Sequence, residues 1–163
     1  MANKLSLYEE LLNKRNDAFK KWDTAYNLVK TELESLISSF DDMKTIQNPQ
    51  FQDLTLKFYC IHLCNYFYFH VRNLLVKKNK GSEISKLLQN GFSNVSNTPS
   101  IAVMNDLLSY LISDDERKLR NLKDEYKKVN ELRNKFAHGA SNETDFSITF
   151  DEFNQIYEDI KNI

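Results

Sequence analysis

Arg133, Asn134 and His138 are the residues of this chain whose types and spacing best fit chemistry on an anionic group. An imidazole gains and loses a proton near neutral pH, and a guanidinium stays charged and can hold two phosphate oxygens at once. On a helix, Asn134 and His138 lie one turn apart, so the amide can orient the imidazole or bind a phosphate oxygen. Together these three side chains can bind a phosphate and move a proton beside it.

The element that must position them is a predicted helix from Ser113 to His138, with a capping box from Ser113 to Glu116 at its start and Gly139 as its stop signal. On a wheel of about 100° per residue, five apolar residues fall within about 60° of Arg133: Leu119, Leu122, Tyr126, Val129 and Phe136. A guanidinium in the middle of an apolar stripe must either pair with a buried carboxylate or open into a polar cleft at a subunit contact.

Polar side chains form a ridge beside this stripe. Asn130 and Asn134 lie at about 60° and 100° from Arg133 on the same wheel. Lys123 and Lys127 share that flank of the helix. The lysines can therefore attract an anionic chain toward the arginine.

Only three Gly and two Pro interrupt the chain, so we predict an all-α fold in a single domain over residues 1–163. Apolar residues at three- and four-residue spacing predict one long first helix over residues 5–43. The aromatic segment from Phe51 to Lys78 is apolar on several faces and predicts a central helix. Shorter elements complete the prediction: helices over 83–89 and 101–112, a loop over 90–100, and a last helix that Thr149 or Asp151 caps and that buries Phe153, Ile156, Tyr157 and Ile160.

Charge and cysteine usage exclude several classes of protein. With 22 Lys and Arg against 23 Asp and Glu, the chain has no global charge for binding nucleic acid, so any such contact must come from a local patch. The N-terminus lacks a signal-peptide pattern and no membrane span is evident, so a cytoplasmic location is expected. Cys60 and Cys64 lie four residues apart with His62 on another helix face, which favours buried thiols over a disulfide or a metal site. No metal or cofactor is predicted.

The segment Arg133 to His138, with the sequence RNKFAH, resembles the signature of the HEPN superfamily, in which Arg, a polar residue, a short gap and His end a long helix. The context is similar as well, because the motif ends the penultimate long helix of an all-α chain and one more helix follows it. The resemblance implies a HEPN-like helical bundle with two long helices plus shorter helices.

What the resemblance implies in function is an endoribonuclease in which two subunits bring their Arg133 and His138 side chains together in a shared cleft. Attack of the ribose 2′-OH on its own phosphate needs a base, an acid and a positive group, and these can act without a metal. Arg133 and His138 are then catalytic, with Asn134 assisting. The expected homodimer forms through the helix that ends at His138 and the aromatic helix from Phe51 to Lys78. RNA contacts are expected from the flank of the same helix: Lys123, Lys127 and Asn130.

Sub-family features point in one direction. Members that a nucleotidyltransferase partner regulates resemble a longer pattern with Tyr two residues after the His, where this chain has Ala140. Control by tyrosine modification at that position is therefore not expected. The chain looks closer to stand-alone or phage-defence members, which implies a toxin or antiviral effector under the control of an antitoxin or regulatory protein.

Two plainer interpretations stay open. Arg133 can be part of a core ion pair, and His138 can be a helix-terminal residue that interacts with the helix dipole. A non-catalytic protein of the same superfamily would instead bind RNA or a protein partner through the same surface.

Overall fold

The computed structural model describes residues 21, 23–78, 100–137 and 147–163. This part of the chain consists of helices, turns and bends, without a strand, which confirms the all-α prediction. The helices are, in chain order, α1 (23–38), α2 (Phe40–Thr45), α3 (Pro49–Lys78), α4 (Ile101–Leu111), α5 (Glu116–Ala137) and α6 (Phe150–Lys161). The predicted helix over 83–89, residues 90–99 of the loop predicted over 90–100, and residues 5–20 and 22 of the predicted first helix lie outside the described residues.

Helix α3 is the centre of the fold, as its apolar faces predict. It packs against α4, α5 and α6, and buried side chains occur all around it. A helix that is apolar on every side can bury that surface only when neighbours cover most of it. The sequence placed its start at Phe51, whereas the observed helix begins at Pro49, a residue suited to the first turn because proline lacks the N–H that is unpaired there.

The prediction of one continuous first helix up to residue 43 is wrong at Ser39. A turn there separates α1 from α2, and the Ser39 backbone N–H donates to the Leu36 carbonyl at 3.0 Å. The Ser39 hydroxyl donates to the same carbonyl at 2.7 Å. Serine side chains compete for backbone carbonyls in this way. The continuous helix was predicted from the spacing of apolar residues, and that spacing does not report such hydrogen bonds.

The capping residues predicted for the last two helices can be compared with the structure. At α5 the capping box assigned to Ser113 is wrong, because the Asp115 carboxylate accepts from the Lys118 backbone N–H at 2.9 Å. The Ser113 hydroxyl donates to Asp114 instead. At α6, of the two candidate caps, Thr149 is the capping residue and forms a capping box with Glu152.

The core contains buried side chains from all six helices, including Phe40 of α2 and Met104 and Leu108 of α4. The face predicted for the last helix is buried throughout, at Phe153, Ile156, Tyr157 and Ile160. These side chains meet α1 and α2 at one end, where Phe40 packs edge-on against Phe153 with ring centroids 5.8 Å apart. None of the helices among the described residues combines the length and the apolar composition needed to cross a membrane.

Candidate active site

Helix α5 carries the candidate site and lies antiparallel to α3. The direction follows from three contacts, because Phe136, Asn130 and Tyr126 of α5 touch residues of increasing number on α3. The predicted apolar stripe is buried at Leu122, Tyr126 and Val129. Packing against α3 therefore fixes which side of α5 faces outward.

Four polar side chains on α5 are joined in one series, which we call the polar row: Tyr126, Asn130, Asn134 and Arg133. The Asn130 amide nitrogen donates to the Tyr126 hydroxyl oxygen at 3.3 Å. The Asn134 amide nitrogen donates to the Asn130 amide oxygen at 3.0 Å. Arg133 donates to the Asn134 amide oxygen through Nε at 3.1 Å and through Nη2 at 2.7 Å. The row runs from the buried hydroxyl of Tyr126 to a half-buried guanidinium.

The sequence left two surroundings open for Arg133, a buried carboxylate partner or a polar cleft. In the structure its partner is the neutral amide of Asn134. In residues 23–78, 100–137 and 147–163 no ion pair joins it to an acidic side chain. Two of the five guanidinium N–H groups donate to Asn134, which leaves three, all on the two terminal nitrogens. We call the edge formed by these two terminal nitrogens the outer edge of Arg133. It has the geometry that holds two oxygens of a phosphate.

The inner end of the row is uncharged. Burial raises the pKa of the Cys64 thiol, and the nearby charge of Arg133 only partly opposes this effect. Burial raises the pKa of Tyr126 as well. The positive charge of Arg133 therefore has no anion to neutralise it at the buried end of the row.

The flanking residues that the sequence predicts as RNA contacts divide into two kinds. Lys127 is exposed and Lys123 is half-buried, so both lie where a ligand can reach them. Asn130 is only 5% exposed, and Cys64, Tyr126 and Asn134 surround its amide. The RNA contact expected of Asn130 stays a prediction, and in the single chain this side chain packs inward behind Asn134.

His138 lies outside the described residues, as does Gly139. Helix α5 extends to Ala137, directly before the histidine in sequence, within the described residues. The roles predicted for His138 and for the stop signal at Gly139 therefore stay predictions.

An apolar stripe that sequence reasoning did not single out lies beside the row. On the first half of α3, Phe51, Leu54 and Phe58 are 49%, 56% and 45% exposed, and their spacing places them on one side of the helix. The stripe reaches α5 where the rings of Phe58 and Phe136 meet edge-on at 6.1 Å. Phe136 is three residues after Arg133 on α5, so the stripe comes within one helical turn of Arg133 along the chain. The sequence did contain a signal for this stripe, because the start of α3 is apolar. A central helix in a monomer does not need apolar side chains on a face that its neighbours leave uncovered.

The cysteines are buried and free, as predicted. Burial raises the pKa of Cys60 to about 12, so its thiol stays protonated at neutral pH. His62 lies 3.4 Å from a carboxylate oxygen of Glu32 on α1. Among the described residues no three side chains of His, Cys, Asp or Glu are grouped so that they could hold a metal ion.

A helical bundle whose long charged helix ends in the Arg-Asn pair of an RNKFAH segment is the arrangement of a HEPN domain. The chain belongs to the family described as RiboL-PSP-HEPN, whose model matches residues 24–163. The match covers both long helices, the polar row and the RNKFAH motif, and membership of this superfamily supports an RNA-related function. Comparison with curated proteins and with solved structures gave no match.

Proposed function

We propose that this protein is an endoribonuclease that cleaves RNA without a metal, at a site shared by two copies of the chain. The observation that carries the proposal is the outer edge of Arg133. A charge that is half-buried, held by an amide and without a carboxylate partner among the described residues is suited to an anion that comes from outside. In a HEPN-family chain with a histidine five residues further on, that anion is the RNA phosphate.

In the proposed reaction the ribose 2′-OH loses its proton to one histidine while its oxygen bonds to the adjacent phosphorus. The bond from phosphorus to the 5′-oxygen breaks, and a second histidine gives that oxygen a proton. Two copies of His138 supply the base and the acid. Arg133 binds the non-bridging oxygens, whose negative charge increases in the transition state. Lys123 and Lys127 attract the RNA chain toward the cleft.

The apolar stripe of Phe51, Leu54 and Phe58 supports the dimer. Three large apolar side chains about half exposed on one helix face form a surface that a second copy can cover. Because the stripe continues to Phe136, a two-fold axis beside it would bring the two Arg133 edges toward each other. The phosphate between them would relieve the repulsion of the two guanidinium groups.

The proposed biological setting is a cytoplasmic toxin or antiviral effector that an antitoxin or another regulatory protein holds inactive. A ribonuclease without sequence-specific contacts harms its own cell unless it is controlled. The test is growth after induced expression, compared between the native chain and His138→Ala. Equal growth of the two strains at equal protein levels would contradict the toxin role.

The direct test of the activity uses purified protein, total cellular RNA and an excess of chelator. We expect cleavage to persist in chelator, to leave 2′,3′-cyclic phosphate ends and to spare DNA, because the nucleophile is the ribose hydroxyl. His138→Ala should reduce the rate by about 10²- to 10⁴-fold, the usual contribution of a general acid or base, with melting nearly unchanged. RNA binding without cleavage by the native protein would favour the non-catalytic scaffold, and cleavage restored only by a divalent ion would contradict the mechanism.

The shared site is tested by Leu54→Asp and Phe58→Asp, with Val103→Asp on α4 as the matched control. Val103 is 45% exposed, as Phe58 is, but belongs to α4, whereas the stripe is on α3. Each stripe variant should be monomeric in light scattering at micromolar concentration and should lose cleavage, because a charge cannot be buried in an apolar interface. The control should stay dimeric and active. A stripe variant that is monomeric yet retains full specific activity would rule out the composite site.

A further inference from the structure

Asn130 is one of two buried polar or charged side chains among the described residues, and its environment is unlike that of a residue that reaches a ligand. Its amide nitrogen faces the Tyr126 hydroxyl at 3.3 Å and the Cys64 sulfur at 3.8 Å. Its amide oxygen faces outward and accepts from Asn134. A buried amide is retained only when its donors and its acceptor are matched, as they are here.

We infer that Asn130 is a positioning residue for Arg133: it holds the amide of Asn134 in the one orientation that presents an oxygen to the guanidinium. This inference rests on the proposed function, since it explains how the phosphate-binding edge of Arg133 is kept in place. Asn130 itself does not touch the substrate.

The direction of the row follows from the chemistry of its outer end. A guanidinium has donors only, so Asn134 must turn its oxygen toward Arg133 and its NH₂ group toward Asn130. Asn130 must then offer its oxygen to Asn134, and its own NH₂ group is left to face Tyr126 and Cys64. A hydroxyl and a sulfur can both accept, so they fit a donor at that place. Every group in the row has one role, and a flip of either amide would set two donors against each other.

Without Asn130 the Asn134 amide has no partner behind it. It can then rotate, and the Nε–H and Nη2–H bonds that aim Arg133 weaken together. The guanidinium keeps its charge, so attraction for RNA should persist. What is lost is the fixed direction of the donors, on which stabilisation of a transition state depends.

The first experiment reads the guanidinium directly and does not depend on activity. In ¹⁵N-labelled protein, exchange of the Arg133 Nε–H with water should speed up by about tenfold in Asn130→Leu, the loss expected for one hydrogen bond. Asn134→Leu should give the same change and serves if Asn130→Leu does not fold. Asn154→Leu, a half-buried residue of α6, is the matched control and should leave the signal unchanged. Native exchange at Arg133 in Asn130→Leu or Asn134→Leu would overturn the inference.

The second experiment measures cleavage and RNA affinity separately. Asn130→Leu should lower kcat by about tenfold while the Kd for RNA changes less than threefold, since only the orientation of the charge is lost. Asn130→Gln keeps both the accepting oxygen and the donating NH₂ group and should restore most of the rate. An equal loss of RNA affinity, or a loss that Asn130→Gln does not restore, would assign Asn130 a structural role. If the native protein cleaves no RNA, the proposed function fails, while the exchange measurement still decides the role of Asn130.

Discussion

Two polar clusters lie on opposite sides of α3, and they end differently. One is the polar row, which touches Cys64 and ends at the outer edge of Arg133. The other lies about 200° around the helix, at Tyr66 and His70. There Tyr26 bonds His70 Nδ1 through its hydroxyl at 3.0 Å and stacks on Tyr66 at 5.6 Å.

The second cluster, formed by Tyr26, Tyr66, His70 and Tyr157, is closed. Burial lowers the pKa of His70 to about 4, with Lys77 and Lys30 acting in the same direction, so the ring is neutral at pH 7. The Tyr157 hydroxyl donates to Glu34 at 3.1 Å, at the surface. In this cluster polar groups satisfy one another and hold α1, α3 and α6 together, whereas the polar row ends in donors that face outward. The two networks differ more in how they end than in how deeply they are buried, and only the polar row ends in donors that a ligand could reach.

The largest expected difference between the clusters is in cleavage. Arg133→Ala should lower kcat by about 10²- to 10³-fold, as loss of one transition-state donor group does. Tyr26→Phe should leave kcat within about twofold and lower the free energy of unfolding by about 1 kcal/mol, the value of one hydrogen bond. Rates on a defined RNA and urea unfolding measure the two effects. Comparable activity losses in both variants would show that the clusters do not differ in kind.

A smaller effect is expected from anions on stability. Sulfate at ten times its Kd should stabilise the native protein by about 1.4 kcal/mol, which raises Tm by roughly 3–5 °C in a domain of this size. Tyr26→Phe should keep this increase, and Arg133→Ala should lose most of it. Chloride at equal ionic strength separates binding from screening. An unchanged sulfate effect in Arg133→Ala would place the anion elsewhere.

The smallest effect concerns pH. His70 has a pKa in the folded protein below its unfolded value of about 6.5, so the unfolded chain binds more protons between pH 6.5 and 4. The contribution of neutral His70 to stability is complete above pH 6.5 and is lost as pH falls toward 4. His70→Gln should therefore show a shallower decline of Tm across this window than the native protein. His62→Gln measures separately the contribution of the other histidine whose pKa burial lowers. Parallel curves for His70→Gln and the native protein would contradict a neutral, buried ring.

Helix positions were predictable from apolar spacing, because spacing reports which face is buried. Helix α3 begins two residues before the predicted Phe51, and the buried face of α6 matches the prediction. Single hydrogen bonds decided the details that spacing misses. The turn at Ser39 and the cap at Asp115 each depend on one short polar side chain close to the backbone.

The polar row was half predictable. The wheel placed Asn130 beside the apolar stripe but could not say whether that edge would be covered, and contact with Cys64 of α3 covers it. It also placed Arg133 in the middle of the stripe, although its long side chain carries the guanidinium outward to Asn134. The orientation of a side-chain amide depends on which of its neighbours donate hydrogen bonds to it. It can therefore be predicted only when those neighbours are known.

All four members of the polar row belong to one helix. Its internal distances are therefore set by the geometry of α5. In the proposed dimer, the separation of the two Arg133 side chains would depend on the tilt of α5 against α3, the helix on which α5 packs. A protein that bound the outer surface and tilted α5 would move the row as a rigid unit, widening or narrowing the gap between the copies while each arginine kept its aim. Control of such an enzyme would thus be exerted on the spacing of two intact half-sites.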